Sequence, residues 1–131
     1  MEKIKAIFQN AWPYQVDKMN LPVKDLETAL PFYETTMGFK VSTRLSSPIK
    51  AAILSRDNIE IGLAENGGDP GNDGCFFEVD NVEKAFEELK SNGLKNEAPD
   101  FKSQKHGETS WKVFFVIAPD ELCYCIGERQ G

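Results

Sequence analysis

Three cysteines and one histidine carry most of the reactive chemistry in this 131-residue chain. Cys123 and Cys125 stand two apart, with Cys75 and His106 upstream. Together they offer the ligand types of a zinc site. However, an i, i+2 pair on an extended run is not a zinc-knuckle spacing, and strand alternation turns Cys75 away from the other two. Small apolar core cysteines are the simpler reading. A nucleophilic Cys125 activated by Lys18 would need a lowered thiol pKa and an adjacent base. His106, in a polar stretch beside Gly107, has the chemistry of a general base at a rim, though a solvated loop histidine explains it as well. Trp12, Tyr14, Phe76 and Trp111 could grip a flat or cationic ligand, or pack as core or dimer contacts. No Ser-His-Asp order, phosphate-binding glycine loop or dinucleotide fingerprint is present, and Gly67-Gly68 precedes no helix start.

The elements that must position these groups come as a faint repeat. Val23-Lys24-Asp25-Leu26-Glu27-Thr28-Ala29-Leu30 is echoed by Val79-Asp80-Asn81-Val82-Glu83-Lys84-Ala85-Phe86. Each copy follows an apolar extended run and opens a helical pattern closed by a glycine, Gly38 or Gly93. Two copies of one supersecondary unit are expected, with a site at their junction. Residues 15 to 24 read as a strand, with Met19, Leu21 and Val23 alternating against Lys18, Asn20 and Pro22. Asp25 reads as an N-cap, and Leu26, Ala29, Leu30, Tyr33 and Met37 follow at helical spacing. Pro31 would break a helix interior, so the helix is expected to start late, near Thr28.

Strands are predicted over Phe39 to Leu45, Lys50 to Ser55 and Ile59 to Ala64, with Asp57-Asn58 as a turn. Residues 66–73 are the most loop-like stretch and the natural joint between halves. The second half repeats the plan. Gly74 to Val79 is a strand, Asp80 caps a helix with Glu83 completing a capping box, and Val82, Ala85, Phe86 and Leu89 form its apolar stripe. Trp111 to Ile117 and Leu122 to Ile126 are strands joined by a turn over Pro119-Asp120-Glu121. Asn96 to Ser110 is polar and shows no clear period. The expected class is α+β, with curved sheets carrying a helix against each outer face.

Alternation assigns faces. Leu21 and Val23 belong under the first helix, and Cys75, Phe77 and Val79 under the second. Ile59, Ile61 and Leu63 face a helix. Lys18, Asn20, Glu60, Gly62, Gly74, Phe76 and Glu78 then face the hollow. Tyr124 and Ile126 take one side of the last strand, Cys123 and Cys125 the other. The strand from Trp111 to Ile117 is apolar on both faces, so its hollow side should be closed by the other half or by a second subunit. A filled barrel interior with no ligand would also satisfy this pattern.

The length suits one domain over residues 1–131. A net charge of −6 disfavours nucleic acid and suits, if anything, a cationic or neutral partner. No apolar run approaches the ~20 residues of a membrane span, and the start lacks the pattern of a signal peptide. A cytoplasmic location is the default, and an odd number of cysteines argues against a disulfide framework.

These segments resemble the vicinal oxygen chelate superfamily, which includes glyoxalase I, bleomycin-resistance proteins, fosfomycin-resistance enzymes and extradiol dioxygenases. The likeness rests on Asn20-Leu21-Pro22-Val23-Lys24-Asp25-Leu26, on Phe32-Tyr33 with Met37-Gly38-Phe39, on Phe77-Glu78-Val79-Asp80-Asn81, and on Ala118-Pro119-Asp120. It implies two tandem βαβββ modules forming a cupped open barrel. Module one would run over about residues 15–65, the linker over 66–73 and module two over about 74–128. Where members commonly carry Asp-Pro-Asp-Gly, this chain has Ala118-Pro119-Asp120-Glu121.

Metal-dependent members hold a divalent ion with four inward side chains. The resemblance places those positions at Lys18, Glu60, Gly74 and Cys125, where the family carries histidine, glutamate, histidine and glutamate. A lysine ammonium repels a cation and glycine offers no ligand, so neither metal nor other cofactor is expected. A Lys18–Glu60 ion pair could fill the space instead, if close pairing offsets the burial of both charges. The resemblance therefore implies a metal-independent protein like the bleomycin-resistance branch. It would sequester a small molecule, a cationic one on the charge balance, in a cleft involving Lys18, Asn20, Glu60, Phe76, Trp111 and Cys125. A homodimer is expected, with no nucleic-acid or membrane partner. The alternatives are a lyase, isomerase or dioxygenase using an altered metal site or Glu60, Lys18 and His106 as acid–base groups, or a structural or regulatory module with no small ligand.

Overall fold

In the computed structural model the described residues are 6–14, 17–94, 101–119 and 121–130. The chain begins with strand β1 (Phe8–Pro13) and a 3-10 turn (Lys18–Asn20). Then come β2 (Leu21–Pro22), α1 (Leu26–Pro31), β3 (Lys40–Leu45), β4 (Ala51–Arg56) and β5 (Ile59–Ala64). The second half holds β6 (Gly74–Val79), α2 (Val82–Ser91), β7 (Lys102–His106), β8 (Thr109–Ile117) and β9 (Cys123–Gln130). The smaller sheet has the order β2-β5-β4-β3, and the larger has β1-β6-β9-β8-β7. Each βαβββ unit thus places its first strand beside its fourth, and both of those pairs are parallel. Neither sheet closes on itself, which makes the α+β assembly an open cup.

The helix-facing sides of both sheets share one core. Leu26, Leu30 and Tyr33 pack with Leu21, Leu54 and Ile61 from the first half, and Cys75, Phe77, Val82 and Leu89 from the second. The Tyr33 and Tyr124 hydroxyls meet 2.6 Å apart across the two halves. Phe8 from β1 bridges them as well, touching both Phe39 and Phe77.

The structure corrects several local expectations. Residues 17–24 do not form the expected strand, and Gln15 and Val16 lie outside the described residues. The Asp17 carboxylate accepts the Met19 N–H at 2.9 Å, which curls Lys18–Asn20 into a 3-10 turn and leaves a strand of only Leu21–Pro22. The first helix does not start late, because Asp25 caps it by accepting from Thr28 N at 3.3 Å. Pro31 instead ends the α-helical turns. Lacking an N–H for the Glu27 carbonyl, it is followed by a π turn over Phe32–Thr36, in which Met37 N bonds Phe32 O at 3.1 Å. Gly38 then closes the helix at φ +78°.

The second helix is capped one residue later than expected. Asn81, not Asp80, accepts from Lys84 N, so Glu83 is the second helical residue and makes no capping box. Asp80 instead accepts the Ile7 N–H at 2.8 Å, tying down the start of β1. Strands β1 and β7 were not expected at all. A register irregularity between Phe8 and Asn10 breaks the period of β1, and β7 is a polar edge strand. Residues 95–100 and Asp120, parts of two segments read from sequence, lie outside the described residues.

Candidate ligand-binding cleft

Strand pairing turns the larger sheet into rows of side chains on its hollow face. One row crosses the sheet as Trp12, Phe76, Cys125 and Phe115. The next runs Asn10, Glu78, Gly127 and Val113. A third joins Gln104, Trp111 and Arg129. Gly127 is bare for a reason visible here: a Cβ would stand 2.7 Å from Phe76 Cζ and 2.9 Å from Val113 Cγ1. Its absence lets the Phe76 ring lie down on the sheet. Phe76, Trp111, Val113 and Cys125 form a small apolar cluster separate from the main core.

Above that cluster opens a cavity of about 580 Å³. Its aromatic wall is built by edge contacts. Phe76 and Trp111 have centroids 5.0 Å apart at 77°, and Trp12 meets Trp111 at 6.0 Å and 78°. His106 sits against Phe76 at 5.5 Å. Cys125 Sγ donates to Gln104 Oε1 at 3.9 Å, and His106 Nε2 stands 3.0 Å from the same oxygen. The Arg129 guanidinium lies over the Trp111 ring, 5.4 Å from its centroid.

The thiols here are not activated. Burial, reinforced by Cys123, pushes the Cys125 thiol up to about 12. Burial and the nearby Asp73 push Cys75 to about 12 as well. Tyr14 is also shifted upward, by desolvation first and then by the three cysteines. A nucleophilic Cys125 would need the opposite shift.

The residues expected to form the site fall into two groups. Phe76, Trp111 and Cys125 come together in the cavity. Glu60 is exposed on β5 of the other sheet, and Lys18 and Asn20 sit on the 3-10 turn beside that strand. Asn20 is engaged locally, donating from Nδ2 to Asp17 Oδ2 at 2.6 Å. Among the described residues no ion pair joins Lys18 to Glu60. Gln104, Phe115 and Arg129 line the cavity too and were not singled out from sequence. Continuing the Cys123, Cys125, Gly127 alternation by one step would have found Arg129.

The four positions aligned with a metal site do not fit an ion. The expected histidine position, Gly74, has φ +149°, and a Cβ there would lie 1.7 Å from the Cys123 carbonyl oxygen. The backbone itself therefore excludes a side chain at that point. Lys18 supplies no lone pair when protonated, and the Cys125 thiol is held protonated. Among the described residues no cluster of three or more His, Cys, Asp or Glu side chains could hold a metal ion.

The family model for the Glyoxalase/Bleomycin resistance protein/Dioxygenase superfamily matches residues 15–115. No curated protein sequence matches the chain. A protein from the mobile metagenome of V. Pseudocholerae superposes with a TM-score of 0.67 at 20% identity, over 89% of this chain and 95% of that one. A bleomycin resistance determinant encoded on the transposon Tn5 gives 0.62 at 21% identity, over 89% and 98%. A bleomycin-binding protein complexed with bleomycin gives 0.59 at 21%, again over 89% and 98%. These likenesses establish a shared fold.

Proposed function

Because the chain belongs to the Glyoxalase/Bleomycin resistance protein/Dioxygenase superfamily, we propose that it is a one-domain, metal-independent binder of a small molecule. The carrying observation is the aromatic cavity of about 580 Å³ on the hollow face of the larger sheet. Its volume and make-up suit a small organic ligand: apolar walls with a few polar groups to orient it. A solved relative of this fold is a bleomycin-binding protein complexed with bleomycin, which supports a binding role for the same cup. The backbone at Gly74 speaks against chelation chemistry, since no ligating side chain can be placed there. Acid–base catalysis by Glu60, Lys18 and His106 is not favoured, because of the three only His106 is among the described residues that line the cavity.

Two further features belong to this reading. Ile117 is 71% exposed on the hollow face, and Leu45 and Ile49 are exposed on the other half; a homodimer would cover such surface. All three cysteines are free, which suits the reducing cytoplasm. Among the described residues no helix is long and apolar enough to cross a membrane.

The chain has two tryptophans, and both line the cavity. A ligand entering it should therefore quench intrinsic fluorescence saturably and raise the melting temperature. A panel of bleomycin and flat aromatic compounds, with and without EDTA, tests this. At least one compound should bind, EDTA should change nothing, and Trp12→Ala should weaken binding about tenfold, equivalent to about 1.4 kcal/mol. Absence of saturable quenching by every compound, or binding that EDTA abolishes, overturns the proposal.

A further inference from the structure

We infer that the cleft selects an aromatic anion, a flat ring seated beside Trp111 with its carboxylate on Arg129, rather than the cation that the chain's overall charge suggests. This rests on the binding role proposed above and assigns the ligand class to that same cleft.

The charge lining the cavity is opposite in sign to that of the whole protein. The chain carries −6 overall, yet no Asp or Glu is among the described residues that line this space, and Arg129 does. The nearest acid in the sheet rows is Glu78. It is largely buried, with 11% of its side chain exposed, and its Oε1 already accepts from Asn10 Nδ2 at 2.7 Å. Its other oxygen approaches Arg129 only at Nε, at 4.0 Å. Glu78 thus steers the guanidinium by one edge. Nη1 and Nη2 have no bond to a described residue, and 59% of the Arg129 side chain is exposed. That leaves the forked pair of donors that matches a carboxylate.

Position reinforces charge. Arg129 is the cross-strand neighbour of Trp111 and lies over its ring. A ring stacked beside Trp111 would carry a carboxylate within reach of the guanidinium. A ligand cation seeking the same π face would find it already shared with a cation. The remaining polar groups lean the same way. Gln104 lines the cavity, and with its Oε1 engaged by Cys125 and 3.0 Å from His106 Nε2, the amide N–H₂ is the end left to donate. Cys125 and Tyr14 are both shifted toward their neutral forms by burial, so neither places an anion where a carboxylate would sit.

Calorimetric titration of the full chain with 2-naphthoate, 2-naphthamide and 2-naphthylmethylammonium at neutral pH tests the assignment. The three probes share a ring and differ in charge. Naphthoate should bind about tenfold tighter than the amide, the scale of one charge-assisted hydrogen bond, and the ammonium more weakly than either. Arg129→Gln should bring naphthoate to the level of the amide, while Arg129→Lys should keep part of the preference. Ammonium binding as tight as naphthoate, or a naphthoate preference that survives Arg129→Gln, overturns the anion assignment and leaves the cleft a binding site. No heat from any of the three probes, with the protein folded by its melting curve, overturns the anion assignment, and overturns the binding role as well when the bleomycin and aromatic panel also gives no saturable quenching.

Discussion

Arg56 on β4 and Glu88 on α2 form a doubly bonded buried pair, with Nη1 2.8 Å from Oε2 and Nη2 3.1 Å from Oε1. The two residues come from different halves of the repeat. Arg56 also donates from Nε to Asp57 at 3.0 Å and to the carbonyls of Met37 and Ala6 at 2.7 and 3.1 Å. Glu88 accepts the Ala6 N–H at 3.0 Å, and the guanidinium lies 4.0 Å from the Phe8 ring centroid. Such full satisfaction is what allows two charges to leave water.

Removing one partner strands the other. Glu88→Ala should cost about 3–5 kcal/mol, whereas the double replacement Arg56→Met with Glu88→Leu should cost less, since neither charge of the buried pair is then left without the other. Urea unfolding of the three proteins measures this. A Glu88→Ala loss below about 1 kcal/mol would show that the pair contributes little, contrary to its geometry.

Gly74 and Gly67 make a matched test of backbone crowding. Both have positive φ, +149° and +82°, but a Cβ at Gly74 would collide with Cys123 O while Gly67 has nothing within 4 Å. Gly67→Ala should cost about 1 kcal/mol, the conformational term alone. Gly74→Ala should cost at least about 2 kcal/mol more, because backbone must move. Gly74→His should therefore fail to create a metal site, as read by zinc affinity of whatever folded protein is recovered. Equal costs for the two alanine variants would refute the crowding argument.

Alkaline stability follows from the thiols. Cys75 and Cys125 titrate near 12 in the folded chain against an ordinary value of 9.0. Below the ordinary value both states hold the protons, and stability is unaffected by them. Between 9.0 and about 12 the unfolded chain releases protons that the fold retains, so stability falls as pH rises. Tyr14, also shifted upward, acts in the same direction. Urea midpoints should be flat up to the ordinary thiol value and then decline, and Cys75→Ala should make the decline shallower. A midpoint that rises with pH in this window would contradict the burial assigned to the thiols.

The uncovered apolar surface predicts an assembly. Ile117, 71% exposed, and Leu45, 50% exposed, should lie against a second copy. Sedimentation should report a dimer that Ile117→Lys shifts toward monomer without lowering the monomer's far-UV signal. A wild-type protein that stays monomeric at high micromolar concentration would rule this out.

Much of the architecture is legible in the sequence alone. The bounds of β5 and β6, the apolar stripe of α2, and the glycine ends at Gly38 and Gly93 all match the sequence reading. So do the hollow-facing positions of Phe76 and Cys125. These are short-range properties: a period of two or of 3.6, a cap, a positive φ. Other features had no local signature. β7 is polar on both faces because it is an edge strand, and it becomes recognisable only through its pairing with β8. Nothing in the sequence marks Arg56 and Glu88 as partners; they pair only when the two halves meet. The cleft itself divided the expected site. Asp17 curls the chain before β2, which leaves Lys18 and Asn20 beside β5, while Arg129 arrives through the register of β9 with β8. Local patterns are set by neighbours along the chain and so can be read from it. Which rows of side chains face one another depends on pairing between strands distant in sequence, and that emerges only when the sheets assemble.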